Sequence, residues 1–222
     1  MCQDGDSPHE VLILRVAKRT KEILSRLDAA YGTEDRCGLD YETDWQLLFA
    51  TELSAQCTDA RVNIVTKDLF QKYKSIEDFA AADLGELEDD IRSTGFYHNK
   101  AKNIISGAQD IMHKFGGKVP DNMEDLLTLA GVGRKTANVL LGHIYKIPGI
   151  VVDTHVKRIS GRLGLTKETD PVKIEFDLYK KIPKENWIRY NFQIITLGRE
   201  ICTARSPKCG ECFLRDLCRS KE

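Results

Sequence analysis

Apolar residues recur at intervals of three and four positions along most of the chain, which is the spacing of one face of an α-helix. The pattern is clearest in five segments: Val11–Leu27, Trp45–Leu53, Val62–Phe70, Ala101–Met112 and Phe176–Ile182. Alternating patterns typical of strands are nearly absent, because the run Gly149–Val152 is short and abuts the start of a helix. The sequence therefore predicts an all-α protein of about ten short helices.

Local signals mark where these helices begin and end. Side chains that cap helix N-termini occur at Asp44, Asp59, Ser75, Asp121 and Asp170, the last followed by a proline at the first helical position. Glycines that break the helical pattern occur at Gly32, Gly95, Gly116, Gly117 and Gly164. The helices are therefore expected to be joined by short turns, without a low-complexity linker or an internal repeat.

The segment Leu126–Leu141 reads as a helix, a tight glycine turn and a second helix. Gly131 and Gly133 allow a close approach of the backbone to a ligand, and the turn opens directly into a helix N-terminus. Free N–H groups at such an end can hold a phosphate without contacting bases, and Thr136 is small enough for close helix packing. The apolar residues on both sides favour a helix-hairpin-helix over an ordinary turn.

A second polar motif, Val-Asp-Thr-His, follows this hairpin and contains Asp153 and His155. Asp153 stands at the N-cap position of an amphipathic helix that runs to Leu163. Capping alone explains an aspartate at this position. Without the other motifs, this one favours that structural role.

Four of the seven cysteines lie near the C-terminus, with the spacing C-x6-C-x2-C-x5-C. Thiols this close in sequence can reach one point, and the spacing fits a four-thiolate iron–sulfur cluster better than zinc. A pair of disulfides is the remaining alternative, in a chain that otherwise looks intracellular and reduced. The four candidate ligands are Cys202, Cys209, Cys212 and Cys218.

The charge is distributed unevenly, although the formal net charge is only −1. Residues 34–92 contain 15 acidic and six basic side chains, whereas residues 134–162 contain six basic side chains and one acidic one. One basic face could therefore meet phosphates, although solvated helix faces give the same pattern. The isolated Cys2, Cys37 and Cys57 and the lack of a long apolar run predict a cytoplasmic protein without a membrane partner.

The three motifs, in this order, resemble the endonuclease III family of DNA glycosylases, which belongs to the helix-hairpin-helix glycosylase superfamily. The resemblance includes Leu53–Gln56 and Gly95–Tyr97 and covers roughly residues 10–219. It implies two helical domains with the active site in the cleft between them. Residues 37–147 would form a six-helix domain with the hairpin, and residues 1–36 and 148–222 a domain holding a [4Fe–4S] cluster.

The resemblance also implies a reaction, in which a bifunctional glycosylase and AP lyase excises oxidised pyrimidines from duplex DNA. Lys135 matches the catalytic lysine of the family and Asp153 its catalytic aspartate. An amine at the first position would attack C1′, and a carboxylate at the second would stabilise the charge that develops on the sugar. The partner would be duplex DNA with damaged pyrimidines or abasic sites, bound by a monomer, at the nucleoid if the cell is bacterial.

Further residues would contact the DNA once the damaged base is turned out of the duplex. By resemblance, Gln56 fills the gap in the base stack and Phe96 wedges the opposite strand, although a helix-end polar residue and a core aromatic are the structural alternatives. The remaining expected contacts come from the hairpin, the Val-Asp-Thr-His motif and the first loop of the cysteine motif: Gly131, Gly133, Arg134, Thr136, His155, Arg205 and Lys208.

Three positions depart from the usual family pattern. Ala130 stands where proline generally precedes the hairpin glycine, Phe96 replaces the commoner leucine, and Cys57 replaces alanine or threonine. These departures concern the range of substrates. Two other functions remain to be compared: a mismatch-specific adenine glycosylase, which lacks the lysine at position 135, and a non-enzymatic hairpin module, which would not require Asp153.

Overall fold

The computed structural model describes residues 8–220, with side chains from residue 17 onward, so the predicted singleton Cys2 lies outside the described residues. This part of the chain forms eleven α-helices and four short 3₁₀ helices and contains no β-strand. The all-α prediction is therefore confirmed. None of the six cysteines in the described residues forms a disulfide.

The helices are short apart from the first and the sixth. In chain order the α-helices are α1 (Pro8–Tyr31), α2 (Asp44–Leu53), α3 (Asp59–Lys72), α4 (Ile76–Ala80), α5 (Leu84–Ile91), α6 (Tyr97–Phe115), α7 (Met123–Leu126), α8 (Arg134–His143), α9 (Thr154–Arg162), α10 (Pro171–Tyr179) and α11 (Trp187–Glu200). The 3₁₀ helices are Arg92–Thr94, Lys184–Asn186, Cys209–Glu211 and Arg215–Leu217.

The predicted helix starts are confirmed in part. Ser75 and Asp170 cap α4 and α10 as expected, each accepting a backbone N–H with its side chain. The starts of α2 and α3 lie one residue earlier than predicted, because Thr43 and Thr58 are the capping residues. An aspartate then occupies the first helical position, where its negative charge interacts favourably with the positive end of the helix dipole.

The described chain divides into two compact units. One comprises Cys37–Gly149, and the other combines the residues up to Arg36 with those from Ile150 onward. The first unit contains seven helices, α2–α8, when the short α4 and α7 are each counted as separate elements. The sequence predicted six helices for this domain. Each unit has its own core of buried apolar side chains.

The unit Cys37–Gly149 is built around α2, from which nearly every side chain is buried. Trp45 and Phe49 pack with Phe79 of α4, at ring-centroid distances of 5.8 and 4.8 Å. Burying aromatic side chains of this size removes a large apolar area from water and contributes most of the stabilisation of such a core. Helix α2 is consequently a rigid support for the hairpin helix α8, which packs on it.

The second unit packs α9 and α11 around the fully buried Tyr190, whose hydroxyl shares a 2.9 Å hydrogen bond with that of Ser160. Cys202, Cys212 and Cys218 border the same apolar core. None of the helices in the described part of the chain has the length and apolar character that crossing a membrane requires.

Candidate functional site

The glycine turn between α7 and α8 has the backbone geometry of a tight hairpin. The N–H of Val132 donates to the carbonyl of Leu129 at 3.2 Å, and Gly131 has φ = +79°. A Cβ at Gly131 would lie 2.5 Å from Oε2 of Glu52, which is too close for any side chain. Glycine is therefore required at this position both by its conformation and by its neighbour.

Helix α8 begins directly after this turn, with Gly133 as its N-cap residue. A glycine has no side chain with which to accept the N–H groups of the first helical turn. Gly133 is exposed, and a Cβ at this position would have no described atom within 4 Å apart from those of its chain neighbours. Arg134 and Lys135 follow on this open helix end, and Lys135 is exposed.

A cavity of about 220 Å³ lies beside the hairpin, entirely within the unit Cys37–Gly149. It brings together five of the residues that the sequence singled out: Gln56, Phe96, Gly131, Lys135 and Thr136. It has room for a group much larger than one water molecule. Side chains from α2, α6 and α8 complete its walls.

Two loops at the cavity carry strained backbone. Gln56 and Phe96 have φ values of 55° and 52°, in the left-handed region that residues other than glycine rarely adopt. Phe96 is 62% exposed and is therefore not a core aromatic. Such strain persists where the surroundings hold it, and it is common in residues that contact a ligand.

Lys100 holds these two loops together, and the sequence patterns did not single it out. Its buried Nζ donates to the carbonyl of Leu53 at 2.8 Å and to that of Thr94 at 2.9 Å. Burial lowers the pKa of Lys100, and the nearby Cys57 acts in the opposite direction. One ammonium group thus fixes the loop of Gln56 relative to that of Phe96.

Glu52 is the second cavity residue that the sequence patterns missed. It is 6% exposed, and neither carboxyl oxygen has a hydrogen-bond partner among the described residues. Burial raises the pKa of its carboxyl group well above the ordinary value. The signal that could have found it is an acidic residue within the run Leu47–Leu53, in which Thr51 is the only other polar residue.

Asp153 caps α9 as the sequence predicted, with Oδ1 accepting the N–H of Val156 at 2.8 Å. His155 is half-buried and packs at Gly198 of α11, where a Cβ would lie 2.3 Å from its Nδ1. Burial lowers the pKa of His155, and Arg158 and Arg199 add to this while Asp153 opposes it. Asp153 and Lys135 belong to different compact units.

The four C-terminal cysteines line one cavity of about 40 Å³ with apolar walls. Burial raises the pKa of the Cys212 thiol, and the other three cysteines add to this. In the described chain, no three His, Cys, Asp or Glu side chains are arranged so that they could bind a single metal ion. Four thiols spread around a small cavity fit a [4Fe–4S] cluster, which takes one thiolate at each iron.

Arginines fix the backbone around this cysteine site. Arg162 donates to Sγ of Cys202 at 3.3 Å and to the carbonyl of Thr203 at 2.7 Å, and Arg158 donates to the carbonyl of Cys202 at 3.0 Å. Both arginines belong to α9. The helix that begins at Asp153 is therefore bonded directly to the first loop of the cysteine motif.

That first loop is closed by its own hydrogen bonds. The N–H of Lys208 donates to the carbonyl of Ile201 at 2.9 Å, and Oγ1 of Thr203 donates to the carbonyl of Ser206 at 2.7 Å. Arg205 and Lys208 are exposed on it. The loop therefore presents two cations on a short, constrained backbone.

Comparison with known families agrees with this geometry. Residues 49–184 match the HhH-GPD superfamily of base excision DNA repair proteins, and residues 202–218 match the iron–sulfur binding domain of endonuclease III. The second match covers all four cysteines of the C-terminal site. The [4Fe–4S] cofactor follows from this match together with the arrangement of the thiols.

Related proteins and structures extend over nearly the whole chain. Endonuclease III of Synechocystis sp. is 54% identical over 92% of this chain and 94% of its own, and that of Bacillus subtilis is 50% identical over 82% and 84%. The structure of a trapped endonuclease III–DNA covalent intermediate has a TM-score of 0.88 at 43% identity, covering 92% of this chain and 96% of its own. The chain belongs to the endonuclease III family, within the HhH-GPD superfamily of base excision DNA repair proteins.

Proposed function

We propose that Lys135 and Asp153 are the catalytic residues with which this chain excises oxidised pyrimidines from duplex DNA. As a member of the endonuclease III family, the chain is a DNA glycosylase with AP lyase activity that works in base excision repair. The observation that carries the proposal is the cavity beside the hairpin. Lys135 lines this cavity together with both residues expected to enter the base stack, Gln56 and Phe96.

The proposed reaction begins with attack of the neutral Lys135 amine on C1′ of the damaged nucleotide. The bond from C1′ to the base breaks, and positive charge develops on the sugar. Asp153 stabilises this charge and accepts the proton that the attacking amine loses. The resulting Schiff base acidifies the C2′ hydrogen, and β-elimination then breaks the strand on the 3′ side of the lesion.

The hairpin would hold the phosphates of the damaged strand through backbone N–H groups at Gly131, Gly133 and the start of α8. Arg134 and Thr136 on the same helix end, and His155 on α9, would add side-chain contacts. Gln56 would fill the space of the extruded base, and Phe96 would wedge the opposite strand. The left-handed backbone at both residues, fixed through Lys100, supports this role.

The cluster held by Cys202, Cys209, Cys212 and Cys218 would act as a structural crosslink of the C-terminal loops. Its thiolates would fix both ends of the loop that carries Arg205 and Lys208, and these two cations would contact DNA phosphates. We infer that the chain works as a monomer, in the cytoplasm and at the nucleoid if the cell is bacterial, without a membrane partner.

Borohydride trapping tests the assignment of Lys135. On a duplex containing thymine glycol, the native protein should form a covalent adduct, because borohydride reduces the Schiff base. Lys135→Gln should lose the adduct and the base excision together, by about 10³-fold or more, while keeping most of its DNA affinity. If Lys135→Gln excised bases at the native rate and lost only strand cleavage, an activated water would be the nucleophile.

A further inference from the structure

We propose that Glu52 is a general acid of the excision step and donates its carboxyl proton to the base as the base leaves C1′. The proposal deepens the proposed function and rests on it, because it adds a proton donor to the site of Lys135. The observations that support it concern the burial of Glu52, its surroundings and its place in the cavity.

The carboxyl group of Glu52 is placed where a structural role does not explain it. Its side chain is buried in α2, and both oxygens lack a hydrogen-bond partner among the described residues. A buried polar group without a partner destabilises the folded state, and most such groups in proteins are paired. The stability of the fold therefore does not account for an acidic residue at this position.

Burial favours the neutral form of Glu52. It raises the pKa of the carboxyl group well above the ordinary value, so the group holds its proton to a higher pH than an exposed carboxyl group does. Two cations that line the same cavity act in the opposite direction, Lys100 from α6 and Lys135 from α8. The ammonium of Lys100 is already bonded to two backbone carbonyls, and Lys135 is exposed, which weakens their effect on Glu52. A carboxylic acid that keeps its proton can act as a proton donor.

The position of Glu52 in the cavity brings this donor to the reacting centre. Oε2 lies against Gly131 of the hairpin, so closely that a Cβ there would be 2.5 Å away, and Cβ and Nδ2 of Asn103 would lie 3.0 Å from the same point. Lys135 lines the same cavity from the first turn of α8. The acid and the proposed nucleophile therefore face one space.

The proton transfer balances the proposed reaction. The C1′–base bond breaks with its electron pair going to the base, and the Glu52 proton neutralises the base as that pair arrives. The amine of Lys135 forms the new bond to C1′ and loses its proton to Asp153. Glu52 is then a carboxylate beside the iminium of the Schiff base, and it regains a proton from water after the product leaves.

Comparing base excision with cleavage of a preformed abasic site distinguishes the proposed role of Glu52 from any other. On a preformed abasic site no base leaves, so strand cleavage should not require Glu52. We expect Glu52→Gln, which keeps the size of the side chain but cannot give up a proton, to slow single-turnover base excision by about 10²-fold. The same variant should cleave a preformed abasic site, and form its borohydride adduct, at rates within about twofold of the native protein.

The pH dependence gives an independent measurement. Excision by the native protein should fall as the pH rises through the raised pKa of Glu52, whereas cleavage of abasic sites should lack this decline. Excision by Glu52→Gln should lack it too. Because the pKa of Glu52 is raised in the folded state, stability is lost as the pH rises above the unfolded pKa. Glu52→Gln should therefore raise the melting temperature at about pH 8 more than at about pH 5.

A structural role for Glu52 would give other results. The proposal is overturned if Glu52→Gln lowers excision and abasic-site cleavage equally, if it leaves excision unchanged, or if it lowers the melting temperature at about pH 8. Failure of the proposed function is distinguishable, because in that case the native protein itself would form no borohydride adduct. Glu52→Leu is the second variant, and it should be at least as stable as Glu52→Gln and equally slow in excision.

Discussion

The two helix N-termini that carry the proposed catalytic residues are built in opposite ways. Helix α9 is closed by its own sequence, because the carboxylate of Asp153 accepts the N–H of Val156 at 2.8 Å. Helix α8 is left open, because its N-cap residue Gly133 has no side chain to accept an N–H. The first arrangement holds a negative charge in a fixed place, and the second leaves the positive end of a helix for an anion from outside.

This difference shows how one local device supports two tasks. Asp153 would need a fixed position in order to stabilise charge on the sugar, and the capping bond fixes its carboxylate in every molecule of the protein. Lys135 stands in the first turn of the open helix, where the backbone can bind a phosphate while the exposed amine stays free to reach C1′.

After Lys135→Gln, the largest effect is expected from Asp153. Asp153→Asn should keep the cap of α9, since asparagine also accepts the N–H, yet slow excision by about 10²-fold or more through the lost charge. Asp153→Ala should lose both the cap and the charge, so that the free energy of unfolding should also decrease by about 1 kcal/mol. Chemical denaturation and single-turnover kinetics on the two variants measure these quantities. Equal rates for Asp153→Asn and the native protein would reduce Asp153 to a capping residue.

The hairpin glycines allow a matched pair of substitutions. Gly131→Ala introduces a Cβ 2.5 Å from Oε2 of Glu52 on a backbone with φ = +79°, and it should destabilise the unit by about 1–3 kcal/mol. Gly133→Ala meets no described atom within 4 Å, and it should cost only about 1 kcal/mol or less, because alanine is a poorer N-cap residue than glycine. Melting temperatures check both values.

The DNA affinity of Gly133→Ala then tests whether the open helix end is used. A methyl group at the N-cap would stand where a phosphate approaches the N–H groups, so binding should weaken although the fold is unchanged. Unaltered affinity of this folded variant would show that the backbone of α8 does not hold the phosphate.

The smallest effect is expected from the cysteine loop, where phosphates would be held by side chains and not by a helix end. Lys208→Ala should weaken binding to all duplexes alike and lower the dependence of log K on log salt by about one unit. Lys67→Ala, an exposed lysine on α3 within the acidic part of the chain, is the matched control and should leave the slope unchanged. Equal slopes for Lys208→Ala and the native protein would remove this contact from the proposal.

Much of the fold could be predicted because helix signals are local. The glycine breaks at Gly32, Gly95 and Gly164 all have positive φ, which only the local chain needs to specify. Helix α11 was not predicted. Its aromatic and β-branched residues obscure the helical period of apolar positions, and Asn186 provides no side-chain cap at its start. Helix starts at Thr43 and Thr58 were displaced by one residue because threonine and aspartate compete for the cap.

The site could be predicted only where its residues belong to motifs. Lys135 and Asp153 stand in recognisable segments, and their catalytic roles stay predictions. Glu52 and Lys100 could not be found in this way, because pattern reading assigns charged residues to the solvent. Their burial results from the packing of α2 against α6 and α8, which joins residues distant in sequence. Contacts of this kind are visible only in the folded chain.

Helix α9 joins the proposed catalytic aspartate to the cysteine loop within one compact unit. Asp153 caps the N-terminus of this helix, and its side chains Arg158 and Arg162 donate to carbonyls of that loop. The hairpin with Lys135 belongs to the other unit, and the four C-terminal cysteines are not part of that unit's hydrophobic core. Loss of the cluster should therefore weaken the support of Asp153 while leaving the core beneath the hairpin in place.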